Sequence, residues 1–161
     1  MGLFDFFKNK GKGTQKGLTF EDCIVKMFSS SGISPNREGN KFATEVEGKH
    51  CVFNVALTCI EGNSLLVYVP FPIPVDANVA FAANYEVKRI GKEAAGVLPE
   101  AQVYLSEKED GYNIIVATVK EFEELSDNTS DEIRNIMIYS VDILDDKNFE
   151  SLAAAIFGYE S

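Results

Sequence analysis

Hydrophobic positions recur along this chain with a period that changes in a definite order. Phe20, Ile24, Met27 and Phe28 stand at i, i+4, i+7 and i+8, which is the spacing of one helix face. Thr19 ahead of them, with Asp22 three residues on, predicts a capping box at the helix start. Ser29-Ser30-Ser31-Gly32 predicts its end. After the turn-forming run Ser34-Pro35-Asn36-Arg37-Glu38-Gly39 the period falls to two, with Phe42, Thr44 and Val46 alternating with Ala43, Glu45 and Glu47. Alternation of this kind sends the two sets to opposite faces of a strand. Gly48-Lys49 predicts a tight hairpin, after which Cys51, Phe53, Val55, Leu57 and Cys59 alternate with Val52, Asn54, Ala56, Thr58 and Ile60. The chain turns at Glu61-Gly62-Asn63 and returns from Ser64 to Phe71. Pro70, Pro72 and Pro74 stop the ladder there, because proline has no N–H to donate.

The helical period then comes back. Asp76 or Asn78 is the candidate cap for a second helix with Val79, Ala83, Val87 and Ile90 on one side and Gly91 as its end. Two strands follow, near Ala101 to Ser106 and Tyr112 to Lys120, joined by Glu107-Lys108-Glu109-Asp110-Gly111, with glycine where a positive φ is needed. Ser130 or Asn128 caps a last helix that carries Ile133, Ile136, Met137, Ser140, Val141 and Leu144. Phe149, Leu152, Ala153, Ile156 and Phe157 continue almost in phase, so a single long helix is expected as far as Gly158. The order is α-βββ-α-ββ-α, an α+β fold with an antiparallel sheet.

That order, together with Asn84 in the middle helix, the strand pair AQVYLSEKEDGYNIIVATV and the closing SDEIRNIMIYSVDILDD, resembles the YbjN family and the type III secretion chaperone-like superfamily around it. The resemblance covers about residues 18 to 157. It implies an antiparallel α+β fold that is often dimeric, and a non-enzymatic role in binding or holding other proteins. For the YbjN-like branch it implies no settled biochemical activity.

Size and charge narrow the partners. A chain of 161 residues that is 45% hydrophobic fits one domain, residues 18–161, preceded by an arm of residues 1–17. With 15 basic and 25 acidic residues the net charge is -10, opposite in sign to what a phosphate backbone selects, so no nucleic-acid partner is expected. Neither an apolar run long enough to span a bilayer nor a secretory leader is readable, and the expected location is the cytoplasm. Cys23, Cys51 and Cys59 fit that compartment as small buried hydrophobes. Cys51 and Cys59 lie too far apart along one strand for a disulfide, and no CxxC pair exists.

The arm has the opposite charge to the rest. Residues 1–17 hold four lysines against one aspartate, so they are net +3 and leave -13 for the remainder. Leu3, Phe6 and Phe7 fall at i, i+3 and i+4, Phe4 widens the apolar arc, and Lys8 opens a lysine cluster. Asn9 to Gly17, with three glycines and three lysines, reads as a flexible tether. An aromatic face beside lysines suits an interfacial membrane contact. The plainer reading, ranked ahead of it, is a frayed terminus whose phenylalanines dock on the domain or on a neighbour. Myristoylation is disfavoured, since Phe6 stands where the acylation signal has Ser or Thr.

Candidate chemistry is sparse. His50 is the only histidine and is expected to be solvated in the turn before Cys51, which as a strand neighbour points the other way. Asp127, Thr129 and Asp131 match the first ligand positions of a calcium loop, but Glu132 stands where glycine is needed and Ile138 where a bidentate glutamate is needed. Gly11-Lys12-Gly13-Thr14 lacks the spacing of a phosphate loop. The expectation is no enzyme, no cofactor and no metal.

What remains is surface. Both faces of the expected sheet are apolar, whereas an antiparallel sheet wetted on one side alternates more cleanly. Leu66, Tyr68, Ile115 and Val119 are the candidate interface residues on the sheet, with Ile138 and Tyr139 outside the main stripe of the last helix. These point to a protein-binding or chaperone-like domain that forms a homodimer. A peripheral membrane adaptor using Leu3, Phe4, Phe6, Phe7 and Lys8 is the alternative, and an enzyme with a carboxylate-based site ranks behind both.

Overall fold

The computed structural model describes residues 18–158, and each change of period becomes a change of element. Helix α1 spans Phe20–Ser30; Thr19 Oγ1 accepts from Asp22 N–H at 3.0 Å and the Asp22 carboxylate accepts from Thr19 N–H, which completes the expected capping box. Strands β1 (Asn36–Glu38), β2 (Lys41–Glu47), β3 (Val52–Ile60) and β4 (Ser64–Pro70) follow. A 3-10 turn over Ala77–Val79 leads into α2 (Ala80–Ala95), then come β5 (Ala101–Lys108), β6 (Gly111–Glu121), α3 (Thr129–Leu144) and α4 (Lys147–Phe157). The sheet has six strands in the order β1-β2-β3-β4-β6-β5, antiparallel throughout.

Four local expectations change. The run read as a turn contains β1, a three-residue edge strand that pairs Arg37 with Phe42. The Arg37 guanidinium lies 4.7 Å over the Phe42 ring, pairs with Glu21 and donates to Gly39 O, so α1 and the sheet edge both hold it in place. Gly91 does not end α2; the helix continues to Ala95 because its next turn still buries Ala94, with Leu98 just beyond. Neither Asp76 nor Asn128 caps with its side chain; near the start of α3 it is Thr129 Oγ1 that accepts, from Ser126 N–H at 2.9 Å. The last helix is two helices, because Asp145 is extended and Asp146 takes φ 60°, while Asn148 Nδ2 donates to the freed Ile143 O at 2.9 Å.

The four helices among the described residues pack on one side of the sheet. The set Phe53, Val55, Leu57 of β3 faces them with Leu65, Val67 and Val69 of β4, and all six are buried. Ile133, Ile136, Met137 and Leu144 of α3 close the centre, and Val87 and Ile90 of α2 close the β5 end. Phe28 stacks on Phe42 at 5.9 Å and Phe20 meets Phe122 at 5.3 Å with the rings tilted by 41°, and the two contacts anchor α1. One polar tie crosses this core. Ser140 Oγ donates to Ile136 O at 2.7 Å, so the 3.0 Å contact with Thr118 Oγ1 on β6 is a bond that the threonine donates. Both side chains are fully buried.

Gly111 has φ 146°, and a Cβ there would meet Val75 O. Glycine is therefore required where the proline-rich segment bridges to the β5–β6 hairpin through Val75 and Tyr112.

Candidate protein-binding surface

Strand alternation settles which residues share the helix-free face, and the register settles which touch. Ala43, Ala56, Tyr68, Ala117 and Gln102 form one row across β2, β3, β4, β6 and β5. Alanines on both sides of Tyr68 make a shallow floor from which its ring rises exposed. Lys41, Thr58, Leu66 and Val119 form the next row toward the β3–β4 turn, where Lys41 is exposed, Val119 is 51% exposed and Leu66 half-buried. On the other side of the floor, Ile115 stands between Pro70 and Tyr104. Tyr104 shares this face with Tyr68, and its phenol is pushed up by burial and then by Tyr68.

The face extends past these rows. Val52 at one end of β3 is 47% exposed and Ile60 at the other is exposed as well. An open groove of about 730 Å3 runs over Ala43, Asn54, Ala56, Tyr68 and Pro70, walled by the loop Gly32-Ile33-Ser34. The apolar part of this face, left uncovered by every helix among the described residues, is a surface that water contacts unfavourably.

The six candidate interface residues do not form one patch. Leu66, Tyr68 and Val119 share the open face, but Ile115, on the same face, is only 1% exposed and is a floor residue rather than a contact. Ile138 and Tyr139 lie on the opposite, helical layer. Tyr139, 46% exposed, lines a separate crevice of about 340 Å3 with Ile90, Val97, Leu98, Asp142 and Ile143. Leu3, Phe4, Phe6, Phe7 and Lys8 lie outside the described residues.

His50 is not free in its turn, in contrast to the sequence expectation. The buried Asp145 carboxylate accepts from Lys49 N–H at 2.7 Å and His50 N–H at 3.3 Å, and lies 3.0 Å from His50 Nδ1. The ring stacks on Phe149 at 4.7 Å and 1°, with Glu150 3.7 Å from Nε2. The kink at Asp145-Asp146 aims this carboxylate at the β2–β3 turn, 95 residues earlier in the chain. No local sequence signal marks such a pair. Its hydrogen bond to Asp145 raises the imidazole pKa against the opposing effect of desolvation, with Glu150 adding to the rise. Burial works to raise the Asp145 pKa, but the Lys49 N–H and the His50 ring outweigh it and hold the carboxyl below its ordinary value.

This corner is built as a clamp. Burial, and then the Asp145 charge, push the Cys51 thiol up, the opposite of what activates a nucleophile. Burial holds the Cys23 thiol at about 11. Among the described residues no cluster of three His, Cys, Asp or Glu side chains could hold a metal ion. No helix among them is long and apolar enough to cross a membrane.

No protein-family description and no curated protein sequence matches this chain. In three dimensions it is similar to the crystal structure of YbjN from E. coli, described as a candidate transcription regulator, with a TM-score of 0.56. The likeness spans 83% of this chain and 89% of that one at 11% sequence identity. At that identity the likeness is one of fold, and the fold of this chain is YbjN-like, as the element order implied.

Proposed function

We propose that this YbjN-like domain is a non-enzymatic protein-binding module of the chaperone or adaptor kind, that its working surface is the helix-free face of the sheet, and that a second copy of the chain can occupy that face to form a homodimer. One observation supports the reading: among the described residues all the helices pack on one side, and the other side presents Val52, Ile60, Tyr68 and Val119 to solvent. A protein partner is the occupant suited to an apolar patch spread over several strands, since small ligands prefer concave sites with convergent polar groups. The fold neighbour, described as a candidate regulator, is compatible with a binding role.

Light scattering on the full chain at tens of micromolar tests the reading. A dimer is expected, and Val119→Glu should abolish it while leaving the far-ultraviolet circular dichroism unchanged. A monomer, or a dimer indifferent to Val119→Glu and Tyr68→Glu, overturns the assignment to this face.

A further inference from the structure

The described chain enters the domain at one particular corner of the sheet. Leu18 packs against the core, the Phe20 ring meets Phe122 at a tilt, and Phe122 N–H donates to Asn63 O at 3.0 Å. Asn63 belongs to the β3–β4 turn and Phe122 directly follows β6, so the entry point adjoins the sheet end that carries Ile60, Leu66 and Val119 on its open face. The rim of that end is acidic, with Glu61, Glu121, Glu123 and Glu124 all exposed. Lys120 belongs to the helical side of β6, where it pairs with Glu100 at 3.4 Å, so Lys41 in the row of Leu66 and Val119 is set against four glutamates and the rim keeps a net negative charge.

Ahead of Leu18 stand residues whose apolar part is Leu3, Phe4, Phe6 and Phe7 and whose lysines are Lys8, Lys10, Lys12 and Lys16. Nine residues, Asn9 to Gly17, separate the aromatic segment from the entry point. They reach about 30 Å if extended and about 16 Å as a glycine-rich coil. Crossing three strands from β3 to β5 takes only about 14 Å. Leu18 lies on the helical side, so the tether must also round the sheet end, an added path of about 10 Å. The extended length covers both, which puts the exposed residues beside the β3–β4 turn within range of the same molecule's aromatic segment. Charge favours it as well: a second open face would bring its own acidic rim, whereas residues 1–17 are net +3 against -13 for the rest of the chain.

We propose that residues 2–8 dock on the open face of their own sheet, with Leu3, Phe4, Phe6 and Phe7 over Ile60, Leu66, Tyr68 and Val119 and the lysines against the glutamate rim. The arm and a protein partner then compete for one surface, so the arm restrains binding until a partner displaces it. This rests on the reading of that face as the binding surface, and it supplies the occupant present when no partner is bound.

The test uses the full chain with Phe6 replaced by p-benzoylphenylalanine, irradiated at low micromolar concentration, with adducts mapped by peptide mass spectrometry. Adducts to Ile60, Leu66, Tyr68 or Val119 within a monomer band are expected. Val119→Glu should reduce them, and the full-length triple variant Phe4→Ser, Phe6→Ser, Phe7→Ser should self-associate about tenfold more tightly, the effect of removing an intramolecular competitor present at millimolar effective concentration. Adducts on the helical layer, adducts only in a dimer band, or adducts that form on the face no more than elsewhere and vanish when phosphatidylserine vesicles capture the arm would overturn the proposal. Face adducts with self-association indifferent to Val119→Glu would sink the homodimer alone. Adducts elsewhere with a dimer that Val119→Glu abolishes would sink the arm alone.

Discussion

Gly48 and Asp145 approach so closely that a Cβ on the glycine would lie 2.5 Å from Asp145 Oδ2 and 2.8 Å from the Phe53 ring. The β2–β3 turn and the α3–α4 kink therefore interlock, and this contact joins a strand turn early in the chain to a helix break near its end.

Gly48→Ala tests the interlock. Neither neighbour can move cheaply, since Asp145 is held by backbone N–H groups and Phe53 is fully buried. Overpacking of this kind costs about 1–3 kcal/mol. The urea midpoint should fall accordingly, with no change in the denaturant slope.

Asp145→Asn removes the charge from the same contact and should cost about 2 kcal/mol, the scale of hydrogen bonds to a charged acceptor. The clamp also gives stability a pH dependence whose sign follows from the two shifts. Asp145 is held low, so its contribution is present above the ordinary aspartate range of about 4 and is lost as pH falls through the folded value. His50 is held high, so its contribution is complete below about 6.5 and is lost as pH rises through the folded value. The clamp is tightest between those limits. Asp142, raised by burial and then by Asp145 and Asp146, contributes the opposite slope in acid. The gap between the urea midpoints of wild type and His50→Gln should therefore be widest below about pH 6.5 and narrow as pH rises through the folded His50 value, and parallel curves would refute the clamp.

The Thr118–Ser140 tie predicts non-additivity. Ser140→Ala leaves a buried threonine hydroxyl without its acceptor and should cost about 1–3 kcal/mol, whereas Thr118→Val leaves the bond from Ser140 to Ile136 intact and should cost about 1 kcal/mol. The double variant should be less destabilised than the sum of the two, because removing both partners leaves nothing unpaired. Thermal unfolding of the four proteins in the cycle measures the coupling.

The cysteines should be slow toward thiol reagents at pH 8. Cys23, buried and held near 11, should react only as the protein unfolds, and Cys51 and Cys59, both raised chiefly by burial, should lag behind free cysteine. A burst of one thiol from the native protein would contradict this assignment.

Much of the architecture was readable because periodicity is local. The alternation of Phe53, Val55 and Leu57 with Asn54, Ala56 and Thr58 marks a strand and divides its two faces without knowledge of any neighbour. Thr19 and Asp22 mark a helix start because the capping box is completed within four residues. The break at Asp145 was hidden because Phe149, Leu152 and Ile156 stay nearly in phase with α3, and apolar spacing does not record a residue at φ 60°. β1 was hidden because Asn36-Arg37-Glu38 is polar on both faces, and pairing with β2 rather than pattern makes it a strand.

By itself, the sequence determined the class of the fold, the order of its elements apart from β1 and the α3–α4 break, the single histidine, and the contrast between a basic arm and an acidic domain, all of which are set by residue type and short-range spacing. Tertiary structure decided what depends on distant parts meeting. It gathered the helices on one side and left Tyr68 and Val119 uncovered, buried Ile115 on that same face, and put Ile138 and Tyr139 on the opposite layer. It also brought Asp145 to His50. These outcomes depend on strand order and helix placement, and neither is encoded in the period of any single segment.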